Sequence, residues 1–144
     1  MTTKTNTACL AVSLVFLSSV LTMAKGGSPA APVRPTAADI ARGKYLVGIA
    51  GCNDCHTPGY FFGKPDMARF LGGSDVGFEI PGLGTFVGPN LTPDKATGLG
   101  NWTDAQVISA LQKGERPDGR SLAPIMPWHA FASLTKQDAD AIVA

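Results

Sequence analysis

The sequence predicts an all-α fold with about three main helices, arranged around a large bound group. Three segments begin with a threonine that is followed three residues later by Asp or Gln, a pattern typical of helix starts. Glycine and proline are abundant, at 17 and 11 residues, whereas charged residues make up only 16% of the 144-residue chain. A single domain with so much loop gains stability from a large group bound at its centre.

The first helix is predicted to begin at Thr36, because Thr36-Ala37-Ala38-Asp39 resembles a capping box. Gly43 lies on the apolar side of this helix, where the missing side chain lets another helix approach closely. We expect that side to be buried as one stripe that runs into residues 52–56. Its apolar positions are Ile40, Leu46, Val47 and Ala50.

Two further helices are predicted in the C-terminal half of the chain. Thr103-Asp104-Ala105-Gln106 is a complete capping box, and Gly114 is a natural helix stop. The last helix is predicted to begin at Thr135 and has about two turns before Ala144. The side chains expected to face the core are Val107, Ile108 and Leu111 in the earlier helix and Ala139, Ile142 and Val143 in the later one.

The segment between the first two predicted helices, residues 57–101, shows no helical period. Phe78-Glu79-Ile80 and Thr85-Phe86-Val87 flank Pro81-Gly82-Leu83-Gly84, which could close a short β-hairpin. A loop of this length normally argues against the assignment of elements in a compact domain. A large bound group would give the loop a surface to pack on, so we keep the assignment.

Residues 52–56 carry the most specific signal in the chain, Cys52-Asn53-Asp54-Cys55-His56. Cys-x-x-Cys-His is the attachment pattern for c-type haem. Two cysteines three positions apart on a helical turn project to the same side, so both sulfurs can form thioethers with one porphyrin. His56 then lies under the iron as its proximal ligand. One such motif predicts one covalent haem c, since the third cysteine, Cys9, lies in an apolar N-terminal stretch.

Two other kinds of site also use a Cys-x-x-Cys pair, and the chain lacks the context for both. A thioredoxin-like redox site sits in a βαβ pattern, and no such pattern surrounds residues 52–56. A structural zinc site needs four ligands, so it would have to use every candidate outside the N-terminal stretch at once: Cys52, Cys55, His56 and His129. Haem attachment is therefore the favoured interpretation.

Residues 1–24 are predicted to form a signal peptide, with Lys4 at a positive start, an apolar middle and small residues before a cleavage point after Ala24. The alternative is an uncleaved anchor joined by the Pro/Gly-rich linker 25–35. Residues 36–144 form the predicted haem domain. Cleavage would leave equal numbers of basic and acidic side chains, so no basic patch indicates a nucleic-acid partner.

The candidates for the distal iron ligand are Met67, Met126 and His129. Prolines on both sides of Met126, in Pro124-Ile125-Met126-Pro127, hold the backbone extended, so that a loop can present the thioether. Met67 is close to the haem motif in sequence and lies in a charged stretch. Met126 is favoured, and His129 or an iron without a distal protein ligand are the alternatives.

The chain resembles class I c-type cytochromes, in particular the monohaem cytochrome c modules of bacterial dehydrogenase complexes that oxidise alcohols and aldehydes. The resemblance covers Thr36 to Ala144. Taken singly, the middle motifs are weak evidence for the family, but their order along the chain is highly specific. The matching segments are Gly43-Lys44-Tyr45-Leu46, Cys52-Asn53-Asp54-Cys55-His56-Thr57, Gly88-Pro89-Asn90-Leu91-Thr92-Pro93-Asp94, Gly98-Leu99-Gly100-Asn101-Trp102-Thr103-Asp104, Arg116-Pro117-Asp118-Gly119-Arg120 and Met126-Pro127-Trp128.

The resemblance also implies roles for residues outside the haem motif. The carbonyl of Pro89 would accept the proton of His56 Nδ1, which fixes the orientation and basicity of the imidazole. Leu91 would pack on the porphyrin, and the Met-Pro pair makes Met126 the distal ligand. The residues that resemble those near the haem propionates are Trp102, Arg116 and Arg120. For either arginine, a solvated loop charge is the alternative interpretation.

The sequence departs from the family pattern at its C-terminal end. Family members continue the last helix by a turn or more, usually with an aromatic residue that packs on the glycine of the first helix. The sequence ends at Ala144, before that residue. Either the sequence is truncated, or Ile142 and Val143 alone hold the first and last helices together.

The expected function follows from the predicted ligands. An iron with both axial positions filled by protein has no place for substrate or oxygen, so we expect one-electron transfer and no enzyme activity. The resemblance implies a periplasmic carrier, exported or anchored to the inner membrane, between a periplasmic dehydrogenase and an oxidase or other cytochrome of the respiratory chain. The alternative is a peroxidase-like haem enzyme or a gas sensor with an open sixth position, for which His129 is the available histidine.

Overall fold

The computed structural model describes residues 1–2 and 34–144. Nearly all of the predicted signal peptide and residues 25–33 of the predicted linker lie outside the described residues. Residues 34–144 form one compact unit. Among the helices described, none combines the length and the apolar character that crossing a bilayer requires.

Five α-helices, two short 3-10 helices and one two-stranded antiparallel sheet lie in the described part of the chain. Three of the α-helices are the predicted ones, whereas Cys52–His56 and Trp128–Phe131 are short additions. The predicted hairpin is confirmed, with Phe78 opposite Phe86 and a turn between Ile80 and Gly84. The elements are α1 (Ala37–Ile49), α2 (Cys52–His56), β1 (Gly77–Ile80), β2 (Gly84–Val87), α3 (Asp104–Lys113), α4 (Trp128–Phe131) and α5 (Lys136–Val143).

The starts of the three longer helices are set by local sequence, as predicted. Thr36 and Thr103 each form a reciprocal capping box with the residue three positions later, and Thr135 caps α5 by accepting the amide of Asp138. Gly114 ends α3 with φ +70°, a backbone conformation that favours glycine. These ends satisfy backbone groups that would otherwise lack partners.

Helices α1 and α5 pack against each other through Gly43. A methyl group at Gly43 would overlap the carbonyl oxygen of Ala141, so only glycine permits this approach. Ala139 and Ala141 are almost completely buried at the contact, whereas Ile142 and Val143 are only partly buried. Of the two alternatives stated above, the one in which Ile142 and Val143 alone hold the helices together does not fit this contact.

The apolar stripe of α1 is less buried than predicted. Ile40 is 51% exposed, and Gly43 is the buried residue of the helix. Gly51, with φ +68°, separates helix α1 from helix α2. The apolar stripe of α1 therefore does not continue into residues 52–56 on one helix. The apolar side chains that are almost fully buried in the described part of the chain are all alanines: Ala110, Ala139 and Ala141.

Candidate haem site

Helix α2 presents both cysteines of the Cys-x-x-Cys-His motif. Cys52 and Cys55 are half-buried free thiols separated by one helical turn, which places their sulfurs on the same side of α2. Burial raises the pKa of both thiols above the ordinary value. Redox-active Cys-x-x-Cys pairs instead lower the pKa of a cysteine, so the environment of α2 does not resemble theirs.

His56, the last residue of α2, is buried and held in one tautomer. Its Nδ1 lies 2.8 Å from the carbonyl oxygen of Pro89, the hydrogen bond that the resemblance implies. Because a carbonyl can only accept, Nδ1 carries the proton and Nε2 keeps its lone pair. Burial lowers the pKa of His56, partly offset by the bond to Pro89. A neutral imidazole with a free Nε2 is the form that binds a metal.

Three chain segments meet at His56, and we call them the proximal clamp: residues 55–57, 71–74 and 88–91. The amide of Gly73 donates to the carbonyl of His56 at 2.9 Å, and the amide of Ser74 donates to the carbonyl of Gly88 at 2.8 Å. A methyl group at Gly88 would overlap the carbonyl oxygen of Cys55. The clamp thus brings the Pro89 carbonyl to His56 by close backbone contact.

Leu91 and Trp102 bracket a loop that is held by its own polar groups. Leu91 is half-buried, and its amide donates to the carbonyl of Leu71 at 2.8 Å. Asp94 accepts hydrogen bonds from the amides of Ala96 and Thr97, which lowers the pKa of its carboxyl group. The loop therefore keeps a fixed path between the proximal clamp and α3.

Met126 lies on a loop between two prolines, outside any helix, as predicted, but its backbone forms a turn rather than the predicted extended path. Its amide donates to the carbonyl of Ala123 at 3.0 Å, and the amide of Trp128 donates to the carbonyl of Met126 at 2.8 Å. The side chain of Met126 is half-buried. We call residues 123–128 the distal loop.

Trp128 anchors the distal loop to the end of α3. Three atoms of its indole ring lie 2.7–2.9 Å from the position that a Cβ would take at Gly114, so glycine is required for this contact. The ring of His129 stacks on Trp128 at 3.4 Å between centroids. Met67, the other candidate ligand, lies on a short 3-10 turn and is 61% exposed.

The two candidate propionate arginines have different surroundings. Arg120 is 71% exposed and pairs with Asp118 at 2.7 Å, and this hydrogen bonding lowers the pKa of Asp118 to about 2. Arg116 has its guanidinium carbon 5.9 Å from the centroid of the Trp102 ring. Its buried Nε lies 3.4 Å from Asp118 Oδ1 and has no hydrogen-bond partner within the described residues. Arg116 is thus the arginine with a buried donor available to an anion.

These donors fit a c-type haem in the described part of the chain. Two neighbouring thiols, an imidazole with a free Nε2 and a thioether are the groups that attach and ligate such a haem. The Nε of Arg116 lies 3.4 Å from Asp118 Oδ1 but makes no hydrogen bond within residues 34–144, so it is a donor suited to an anionic propionate. A core whose fully buried apolar side chains are alanines is also small for more than 100 residues, and a porphyrin supplies the missing apolar volume.

Comparison with known proteins finds relatives that are named as cytochrome subunits of dehydrogenases. The chain is 36% identical over 139 residues to the fructose dehydrogenase cytochrome subunit of Gluconobacter japonicus, a match that covers 92% of this chain and 27% of the relative. It is 37% identical over 105 residues to the cytochrome c subunit of the quinone alcohol dehydrogenase of Gluconobacter oxydans, covering 73% of this chain and 20% of the relative. No protein-family model matches the chain.

This chain is a cytochrome c module. A third relative, the diheme cytochrome c-type protein of Cereibacter sphaeroides, is 32% identical over 100 residues, which cover 69% of this chain and 32% of that protein. These three relatives are named as a cytochrome or as cytochrome subunits, and this agrees with haem c as the cofactor and electron transfer as the activity. The names favour the predicted role of an electron carrier over that of an enzyme.

The cytochrome module spans between a fifth and a third of the length of these relatives.

Several residues that build the site were given no role from sequence. Thr57, Leu71 and Gly88 act through contacts between segments that lie far apart in the chain. Thr57 and Gly88 stand in the segments that match the family, whereas no pattern marked Leu71.

Proposed function

We propose that this chain is a one-electron carrier with a single haem c, attached through thioethers at Cys52 and Cys55 and ligated by His56 and Met126. The observation that carries the proposal is the geometry of His56. Its Nδ1 is held by the Pro89 carbonyl at 2.8 Å, so its Nε2 is free on the helix that also bears both thiols.

Each residue has a distinct task in this proposal. Pro89 orients the His56 imidazole and increases its basicity by accepting its Nδ1 proton. Met126 offers a thioether from the distal loop, and methionine ligation favours the ferrous state. Leu91 packs on the porphyrin face, while Arg116, supported by Trp102, offers its buried Nε to a propionate.

When bound, the haem iron supplies the one-electron chemistry, cycling between ferric and ferrous states. His56 and Met126 would hold the iron, and the protein around them would keep water away from it. Buried His56 and half-buried Met126 suit these two tasks. In this scheme, no residue transfers a proton or forms a bond with a substrate.

The proposed partners are a periplasmic dehydrogenase as electron donor and an oxidase or another cytochrome as acceptor in the respiratory chain. Relatives named as subunits of fructose and alcohol dehydrogenases support this assignment. The proposed location is the periplasm, after export by residues 1–24, or the outer side of the inner membrane if that segment stays as an anchor. With near-zero net charge, docking relies on a small apolar area at the haem edge.

The number and attachment of haems can be measured directly. A pyridine haemochrome assay on the exported protein, with mass spectrometry after acid-acetone extraction, should give one haem that stays with the chain. A Cys52→Ser, Cys55→Ser variant should release its haem on extraction, while a Cys9→Ser variant should match the wild type. Freely extractable haem in the wild type, or two haems per chain, would contradict the proposal.

The carrier function can be separated from the enzyme and sensor alternatives with carbon monoxide. The reduced wild type should show little change in its Soret band, because Met126 occupies the sixth position. A full shift in the wild type would support an open iron instead.

Stopped-flow reduction by candidate dehydrogenases should depend only mildly on ionic strength, and a steep dependence would refute apolar docking.

A further inference from the structure

Thr57 is a buried polar residue to which the proposed function gives no task. It follows His56 directly, yet it is only 1% exposed and binds no haem in the scheme above. Its Oγ1 accepts the amide hydrogen of Leu71 at 2.9 Å. A buried hydroxyl that holds the backbone of a residue 14 positions away fixes the relative position of two chain segments.

The hydrogen bond of Thr57 is the first link in a closed ring. The carbonyl of Leu71 accepts the amide of Leu91 at 2.8 Å, and Leu91 follows Pro89 by two residues. Pro89 in turn accepts the Nδ1 proton of His56, the neighbour of Thr57. The ring therefore runs from Thr57 through Leu71, Leu91 and Pro89 back to His56.

The backbone of Leu71 shows that this ring imposes a conformation. Leu71 has φ +59°, and it is the one non-glycine residue with positive φ in the described part of the chain. A leucine adopts this region only where its surroundings determine the backbone on more than one side. Thr57 holds the Leu71 amide, and Leu91 holds its carbonyl, so the strained residue is fixed from both directions.

We infer that Thr57 is a positioning residue that sets the strength of the hydrogen bond between Pro89 and His56, and through it the redox potential of the iron. The inference rests on the proposed function, in which His56 is an iron ligand. A stronger bond to Nδ1 makes the imidazole a better donor and stabilises ferric iron. A Pro89 carbonyl held less firmly makes the imidazole a weaker donor, so the midpoint potential rises.

The central experiment compares Thr57→Val, Thr57→Ser and Thr85→Val in the full haem-loaded protein. Valine has the shape of threonine but cannot accept the Leu71 amide, whereas serine keeps the acceptor. Thr85 provides the matched control, because it is exposed on β2 and its hydroxyl makes no hydrogen bond within residues 34–144. The readouts are the midpoint potential and the solvent exchange of the His56 Nδ1 proton, followed by NMR in the reduced state.

In Thr57→Val, the Nδ1 proton should exchange about tenfold faster, as expected for the loss of one hydrogen bond, and the potential should rise. Thr57→Ser and Thr85→Val should match the wild type in both measurements. The near-infrared sulfur-to-iron band should persist in all variants, since the distal loop is untouched. A Thr57→Val protein with unchanged exchange and potential would overturn the inference, and so would equal shifts in Thr85→Val.

The wild type alone provides a test if Thr57→Val does not incorporate haem. Since the ring opens as one unit, the Leu71 amide and the His56 Nδ1 proton should exchange with the same dependence on denaturant. Exchange of Leu71 by a separate local opening, while Nδ1 stays protected, would refute the link. Loss of covalent haem or of the sulfur-to-iron band in the wild type would instead contradict the proposed function.

Discussion

The two sides of the candidate iron site are built from different kinds of contact. On the proximal side, His56 is held by backbone contacts among segments that are distant in sequence, residues 55–57, 71–74 and 88–91. On the distal side, Met126 is held by turns within residues 123–128 and by one packing contact of Trp128 on Gly114.

The difference indicates where the site can open. Releasing His56 requires three segments to separate together, whereas the distal loop can move after the loss of a few local hydrogen bonds. Local openings with few buried contacts have the lowest free energies in a folded protein. We therefore expect ligand exchange to occur on the methionine side, with the proximal clamp intact.

The largest effect is expected from Gly88→Ala, which would break the proximal side. The new methyl group would overlap the carbonyl oxygen of Cys55, and a backbone atom cannot rotate away. We expect a loss of about 3 kcal/mol or more in the free energy of unfolding, with poor haem incorporation. Denaturant unfolding and haem content per chain are the measurements.

Gly48→Ala is the matched control for that variant, because nothing lies within 4 Å of its added methyl group. Alanine is favoured over glycine inside a helix such as α1, so this control should gain about 0.5–1 kcal/mol. A Gly88→Ala protein as stable as the wild type would show that the clamp is not rigid.

The next effect is expected from Met126→Ala, which would break the distal side alone. The iron should become accessible to carbon monoxide in the reduced state, and the near-infrared sulfur-to-iron band of the ferric state should vanish. The potential should fall, because methionine favours ferrous iron. Haem should stay attached, since α2 and the proximal clamp are unchanged. His129→Ala should change little, and the reverse pattern would assign the distal ligand to His129.

A smaller effect is expected when the anchor of the distal loop is disturbed. Gly114→Ala adds a methyl group against the indole of Trp128 at a residue with φ +70°. Gly119→Ala carries a similar backbone strain, at φ +79°, but has open space around it. The control should lose about 1–2 kcal/mol, and Gly114→Ala about 1–3 kcal/mol more, measured by denaturant unfolding. Equal losses would mean that Trp128 does not anchor the loop.

The smallest effect is expected at a site that serves neither side, the ion pair between α1 and α5. Asp138 accepts hydrogen bonds from Thr135 and, at 2.6 Å, from Arg42 Nε, and these lower the pKa of its carboxyl group. A lowered folded pKa stabilises the fold above the unfolded value of about 3.9 and ceases to do so as the pH falls through the folded value.

Asp138→Asn should therefore be slightly less stable than the wild type at pH 7. The difference should shrink as the pH falls below ~3.9 and disappear once the pH is below the lowered folded pKa of Asp138. Thermal unfolding of both proteins between neutral and acidic pH measures this. The haem spectrum should not differ at any pH where both are folded. A difference that persists in acid would mean that the ion pair is not its cause.

The parts of the fold that the sequence predicted are those determined by near neighbours. Helix starts at Thr36, Thr103 and Thr135 depend on side chains only three residues away, and the hairpin depends on one turn. The close approach of another helix at Gly43 was also predicted. Its partner there is the backbone carbonyl of Ala141, a group that every residue carries and that the sequence therefore does not mark.

The ring through Thr57 could not be predicted because its links join distant residues through backbone groups, which carry no residue-specific signal. The short helix α4 was missed since its four residues are too few for a period. The Cys-x-x-Cys-His motif identified the chemistry of the site directly, while the surrounding support depends on tertiary contacts. The motif thus predicts what is bound, and long-range packing determines how firmly His56 is held.

The hairpin of β1 and β2 leaves the proximal clamp and returns to it at almost the same point. The Ser74 amide and the Gly88 carbonyl close its base at 2.8 Å, and Leu83 at its tip is 59% exposed. The segment between these two residues is therefore held at both of its ends. During evolution, such a segment can lengthen, shorten or change its surface while residues 88–91 keep their place. The surface of the hairpin can therefore change without displacing the Pro89 carbonyl from His56.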